Sequence, residues 1–207
     1  MSKGREFAPD DPPAMRITFL NQKGGVGKST ASILLGGVLS TAGYAVAFDD
    51  RDEQGSLTWW AREIGRLPIV GDHVMSDVII CDTPGRLDLS SATNRQFLQP
   101  IVAASDRVVI VSEKSAFSLH ATKPAIAFAR AHIKPGAKIL LLFNKVRANT
   151  KVGRQNVRDL PEFDGVAVLD SFLALAAPYE NVQTEGMSAV TGHYREQVLK
   201  LALEILK

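Results

Sequence analysis

The sequence predicts an α/β fold, a mostly parallel β-sheet flanked by helices on both faces, and three observations carry that prediction. Six short runs rich in β-branched and aliphatic residues, at 16–20, 45–50, 77–82, 107–112, 138–144 and 165–170, alternate with helix-length stretches. The runs are continuously apolar rather than alternating, as expected when helices cover both faces of a parallel sheet. The first run, RITFL, passes through NQKGGVGKST into the apolar stretch ASILLGGVLSTAG, so strand, glycine-rich loop and helix follow in one unit.

Composition limits the kinds of protein that could own such a unit. A chain of 207 residues that is 45% hydrophobic suits one compact core, expected over residues 15–207. The formal net charge is only +2, so attraction to a polyanion must come from local clustering of cations. The single cysteine, Cys81, cannot form an internal disulfide or a four-cysteine metal site within one chain, which suits a reducing cytoplasm. No apolar run approaches the about 20 residues of a membrane span, and no membrane association is expected. Residues 1–14, polar and bearing three prolines, read as a disordered tail. Either Met15 is the true start or the tail is an ordinary flexible extension.

The loop after the first strand matches G-x-x-x-x-G-K-[ST] in its second half. Gly24, Gly25 and Gly27 allow positive φ and close approach, so that with Val26 between them successive amides turn inward around an anion. The following helix, opening near Ser29 and Thr30, adds its N-terminal amides. Lys28 would reach the β- and γ-phosphates and Ser29 would offer its hydroxyl to Mg²⁺. Where the ordinary motif has its first glycine this chain has Gln22, and a second lysine, Lys23, stands beside it.

The stretch KGGVGKST resembles the deviant Walker A motif of the ParA/MinD family of P-loop ATPases. That resemblance implies a homodimer when ATP is bound, in which Lys23 crosses to the partner subunit's phosphates. It continues in FDDRDEQGSLTWW, similar to the ParA-type D-x-D-P-Q-x-S-L-T with Glu53 in place of the proline. By that alignment Asp52 orients the attacking water and Asp50 sits near the Mg²⁺ shell, although Asp49 leaves the register of the acids open. VIICDTPG resembles a Walker B strand and assigns Asp82 to Mg²⁺ through water; Cys81 beside it is expected to pack. The implied chemistry is in-line attack of water on the γ-phosphate, with Lys28, Mg²⁺ and the partner's Lys23 neutralising developing charge.

The remaining elements select among branches of the family. In LLLFNKVR, Arg147 stands where guanine-binding relatives carry an acid, which favours adenine; Asn144 either lies near the base or caps the strand end. The segment 177–186, with Pro178, falls where the family closes over the base but matches its pattern poorly. Trp59 and Trp60 follow a turn, begin a helix and are both expected to be buried. The interval from Trp60 to Val78 is short for the family, so a helix is expected to be trimmed there. The C-terminal stretch YREQVLKLALEILK puts Val198, Leu201, Ala202 and Ile205 on one face, packed on the sheet or on a lipid surface.

Function follows the subgroup that the chain resembles, small plasmid-partition ParA proteins without an N-terminal helix-turn-helix domain, so operator recognition is not expected. These bind non-specific DNA as ATP dimers on the nucleoid and release it when a centromere-binding, ParB-type adaptor stimulates hydrolysis. Lys151, Arg154 and Arg158 are spaced i, i+3, i+7 in the richest basic cluster and form either a DNA-tracking face or a solvated helix surface. A MinD-like membrane switch, or another relative positioning a membrane or protein cargo, is the alternative. An ATP-dependent ligase would need its own acid–base set, yet His73, His120, His132 and His193 are scattered. Nitrogenase-iron-protein-like electron transfer fails for want of a second cysteine.

Overall fold

The computed structural model describes residues 13–72, 74–147, 149–154 and 166–207. Its elements run β1 (Met15–Leu20), α1 (Lys28–Thr41), β2 (Val46–Asp50), α2 (Ser56–Trp60), β3 (Val78–Asp82), α3 (Ala92–Ala103), β4 (Arg107–Glu113), α4 (Ala116–His132), β5 (Lys138–Val146), α5 (Lys151–Arg154), β6 (Ala167–Ala174), α6 (Ala177–Glu185) and α7 (Gly192–Leu206). The six strands form one sheet in the order β2-β3-β1-β4-β5-β6, and every pairing is parallel. After β1 the chain leaves for the β2 edge, whereas after β3 it crosses β1 to β4. The carboxyl end of β1 is therefore where the winding reverses, the place at which open α/β sheets form a crevice.

The continuously apolar strands still obey a period of two. Ile17, Phe19, Phe48, Ile80, Val109, Val111, Leu140 and Leu142 face α1, α6 and α7. Leu20, Cys81, Val108, Ile110, Leu141 and Phe143 face α3 and α4. Each face carries its own core, so neither set of side chains could be polar. The same parity separates the acids of β2: Asp50 lies on the face of Phe48 and α1, and Asp49 on that of Cys81. Asp49 is taken up by Arg16, 2.5 Å away, and by Arg51, 2.6 Å away. That leaves Asp50 on the α1 side, apart from Asp49.

Helix α1 is buried nearly all round because the sheet covers one side while α6 and α7 cover the other. Gly36 makes this possible, since a Cβ there would collide with the Phe48 ring. The expected packing of α7 through Val198, Leu201, Ala202 and Ile205 is found, each at most 2% exposed. The tryptophan pair divides. Trp60 is 1% exposed, meets Phe48 edge-on and donates from Nε1 to the Val182 carbonyl at 2.7 Å. Trp59, expected to be buried, is 55% exposed, because one residue along a helix turns the side chain by about 100°.

Between Trp60 and Val78 the described residues include one π-helical turn, Ala61–Gly65, ended by Arg66 at φ 52°. Ile69 then bridges Phe48 in parallel, with Val70 N donating to Phe48 O at 2.7 Å. This short segment covers the β2 edge, which would otherwise expose unpaired backbone groups. The β6 edge is closed differently: the Glu204 carboxylate accepts from the Asp170 and Ser171 amides at 2.6 and 2.9 Å.

Candidate functional site

The loop from Asn21 to Gly27 crosses the carboxyl end of β1 and is held at both ends by side chains. Asn21 donates to the Val111 carbonyl at 2.6 Å and accepts from Lys23 N at 3.0 Å. Gln22, the departure from the ordinary motif, donates to the Ala121 carbonyl of α4 at 3.1 Å, tying the loop to that helix. Gly25 and Gly27 have φ of 75° and 88°, which an L side chain rarely adopts. At Gly27 a Cβ would also collide with the Asn144 amide.

A cavity of about 410 Å³ opens above the loop. Gly25, Gly27, Lys28, Ser29 and Thr30 form one wall, Asn144 and Lys145 another, and Ala176, Tyr179, Glu180 and Gln183 a third. This is a volume that takes a small organic ligand. Lys28 is 4% exposed and approaches the Gly85 carbonyl at 3.5 Å. Burial lowers its pKa, an effect opposed by the charges of Asp82 and Asp52. A buried ammonium so placed gains most from a ligand anion, which replaces its lost hydration.

Asp82, at the end of β3, is 1% exposed, and its Oδ2 has no hydrogen-bond partner among the described residues. Its Oδ1 accepts from Ser32 Oγ at 3.4 Å. Burial pushes the carboxyl up to about 7; Ser29 and Lys28 work against that shift, while the charges of Asp50 and Asp52 add to it. An orphaned buried carboxylate oxygen beside a serine hydroxyl fits a hard divalent cation with oxygen ligands. Among the described residues no three His, Cys, Asp or Glu could hold a metal by themselves, so such a cation would take most of its ligands from bound anion and water.

Asp50 spends both oxygens on backbone amides, accepting from Asp52 N at 3.1 Å and from Thr58 N at 2.8 Å. The second contact caps the first turn of α2, and the first fixes the bend that presents Asp52. Asp52 Oδ2 accepts from Gly85 N at 2.8 Å. Gly85 thus joins three parts of the site: its amide holds Asp52, its carbonyl faces Lys28, and it packs so closely on Gly24 that a Cβ there would sit 3.0 Å from its oxygen. No residue pattern assigns Gly85 this role, although the T-P-G after Asp82 is its trace in the sequence.

Other sequence-based expectations fare differently. Asn144 lines the cavity, but its amide is committed to the loop, donating to Val26 O at 2.8 Å and Gly27 O at 3.5 Å. Its Oδ1 accepts from the neighbouring Lys145 N at 2.8 Å, inside β5. Lys145, unforeseen, has φ 54° and reaches back to the Gly25 carbonyl at 2.7 Å. Pro178 occupies the first turn of α6 and is not among the lining residues; its neighbours Tyr179 and Glu180 are. Lys23 does not line the cavity either: Nζ donates to Ser118 Oγ at 3.1 Å and lies 4.0 Å from Glu113. Lys151 and Arg154 are exposed on α5, while Arg158 and His73 lie outside the described residues.

Comparison with known proteins gives the family and supports the fold. Over 189 residues the chain is 25% identical to a maintenance of carboxysome distribution protein A of Gloeobacter kilaueensis, covering 83% of this chain and 82% of that one. A plasmid partition protein of Borrelia burgdorferi, solved with AMPPNP, superposes with a TM-score of 0.71 at 17% identity, covering 94% and 98% of the two chains. The MinD of an Aquifex aeolicus MinC:MinD complex gives a TM-score of 0.71 at 15% identity, covering 93% and 96%. The model of the CobQ/CobB/MinD/ParA nucleotide-binding domain matches residues 17–187. With that match spanning the glycine-rich loop, both carboxylate strands and the third wall of the cavity, the chain belongs to the CobQ/CobB/MinD/ParA nucleotide-binding domain family.

Proposed function

We propose that the protein is a Mg²⁺-dependent ATPase that dimerises on ATP and segregates plasmid or chromosomal DNA by cycling on non-specific DNA with a centromere-binding adaptor. The observation that carries this reading is the divergence of the two loop lysines. Lys28 is buried in the wall of its own cavity, whereas Lys23 turns away from it with its side chain 42% exposed. An exposed cation at the rim of a phosphate site is placed to meet a second molecule's phosphates. Electrostatic attraction to them makes association depend on the nucleotide.

Ser29 and Asp82 would hold Mg²⁺, Asp82 through water, and the ion would neutralise charge on the phosphates. The Gly24–Thr30 amides cradle the anion and Lys28 sits against its outer oxygens. Asp52, fixed by Gly85, accepts a proton-bearing contact from the attacking water. Adenine is favoured because Arg147 stands where an acid would pair with guanine, and the base would lie toward Ala176 and Tyr179 in the cavity wall. Lys151, Arg154 and Arg158 would meet DNA phosphates.

The carboxysome-distribution relative favours a second reading, in which the same cycle positions a protein cargo. Deleting the gene separates the two: plasmid or chromosome loss supports partition, and normal inheritance with a misplaced cellular body supports cargo positioning. The molecular reading is tested by light scattering with AMPPNP and Mg²⁺. The wild-type chain is expected to dimerise, and Lys23→Ala to bind nucleotide yet remain monomeric. Normal dimerisation of Lys23→Ala would refute a role across the interface.

A further inference from the structure

At the rim of the site, Lys23 is held by the turn that leads from β4 into α4. The hold begins in the loop, where Gln22 donates to the Ala121 carbonyl and so lays the chain along α4. About one turn earlier on that helix stands Ser118, and Lys23 Nζ donates to its hydroxyl at 3.1 Å. The hydroxyl in turn donates to Glu113 Oε2 at 3.5 Å, and the same oxygen lies 4.0 Å from the ammonium. A serine hydroxyl has one proton and two lone pairs, so it accepts from the lysine while donating to the carboxylate. Cation, hydroxyl and anion thus form one chain within a single subunit.

The middle of that chain is fixed by the fold. Glu113 ends β4 in register with Asn144 of β5, and its carbonyl accepts from Ser115 N at 2.9 Å. Ser115 caps α4, its Oγ accepting from Ser118 N at 3.2 Å. Ser118 is 2% exposed, whereas the side chains of Lys23 and Glu113 are 42% and 39% exposed. The hydroxyl is therefore a fixed post, and the lysine is free to leave it.

We propose that Ser118 and Glu113 are positioning residues that park Lys23 on its own subunit until a second nucleotide-loaded copy offers it phosphates. The proposal rests on the reading that Lys23 acts across a dimer, and it names what that lysine must leave. The contacts draw Lys23 to α4 and out of the lining of its own cavity, so a nucleotide bound in the same subunit does not capture the ammonium. A single half-exposed carboxylate 4.0 Å away is a weak partner for a cation, and the clustered charges of a triphosphate attract it more strongly. The parked state yields to a partner's nucleotide. Since a symmetric dimer frees two lysines, the free energy of release enters its dissociation constant twice.

The test is sedimentation velocity of the full chain over a concentration series with saturating AMPPNP and Mg²⁺. Contacts of this kind shift an equilibrium about two- to fivefold per subunit, so Glu113→Gln is expected to tighten the dimer about four- to 25-fold. Ser118→Ala, which alters no charge, should tighten it on the same scale. Affinity for fluorescent AMPPNP, measured at concentrations where the wild-type chain is monomeric, should stay within about twofold in both variants. A dimer no tighter than the wild type's in either variant, or a weaker one, would show that the contacts do not restrain the lysine. If Glu113→Gln alone tightens the dimer, the effect is one of net charge at the interface and the parking role is refuted. Lys23→Ala separates this inference from the reading beneath it. Should Lys23→Ala dimerise like the wild type, or the wild type fail to dimerise, the role across the interface falls and the inference with it; should Lys23→Ala stay monomeric while the other two variants match the wild type, only the inference falls.

Discussion

Asp52 and Gly85 are joined by a 2.8 Å hydrogen bond from the glycine amide to the carboxylate, across 33 residues of sequence. Through it, the segment after β2 is tied to the segment after β3. Asp52→Ala is expected to lower steady-state ATP hydrolysis about 10²–10³-fold, the scale for removing one group that acts on the transition state. Nucleotide affinity should change little and the AMPPNP dimer should persist. A loss of nucleotide binding equal to the loss of turnover would show that the contact is only structural.

Gly27 combines φ 88° with direct packing on the Asn144 amide. Gly27→Ala should therefore disturb both the loop and its strap, costing about 1–3 kcal/mol. Isothermal titration should show nucleotide affinity at least about tenfold weaker. Asn144→Ala, which removes the strap but keeps the glycine, should show part of that loss. Wild-type affinity in Gly27→Ala would mean that the loop tolerates a side chain there.

Asp82 titrates near 7, well above the ordinary carboxylate value of 3.8, chiefly because it is buried. The folded chain therefore holds a proton that the unfolded chain has released between about pH 4 and 7. In that window the contribution of this group to stability falls as pH rises. The nucleotide-free protein should thus lose thermal stability over it, and Asp82→Asn should flatten the dependence and raise Tm above pH 7. Mg²⁺-dependent nucleotide affinity should run the other way, rising from about pH 6 to 8 as the carboxylate ionises. A melting profile in Asp82→Asn as steep as in the wild type would assign the dependence to another group.

Trp60→Ala should destabilise the fold by about 3–5 kcal/mol, since it empties a packed site and orphans the Val182 carbonyl. Trp59→Ala should stay within about 0.5 kcal/mol. Chemical denaturation monitored by far-UV circular dichroism measures both, and similar costs would contradict the orientation of α2.

The sequence by itself determined the strand–loop–helix unit, a mostly parallel sheet between helices and the glycine-rich loop. Those features are local: a period of residues along a strand, a glycine spacing, an apolar run with an acid at its end. Leu201 and Ile205 could be placed on a core face for the same reason. The tertiary structure alone decided which acid of Asp49 and Asp50 faces α1, because strand parity acts only once β2 is seated beside β3. It alone decided that Asn144 and Lys145 hold the loop from 117 to 120 residues away, and that Gly85 joins Asp52 to Lys28. Contacts between residues so far apart depend on where the sheet brings their strands, and no periodicity within a segment encodes that.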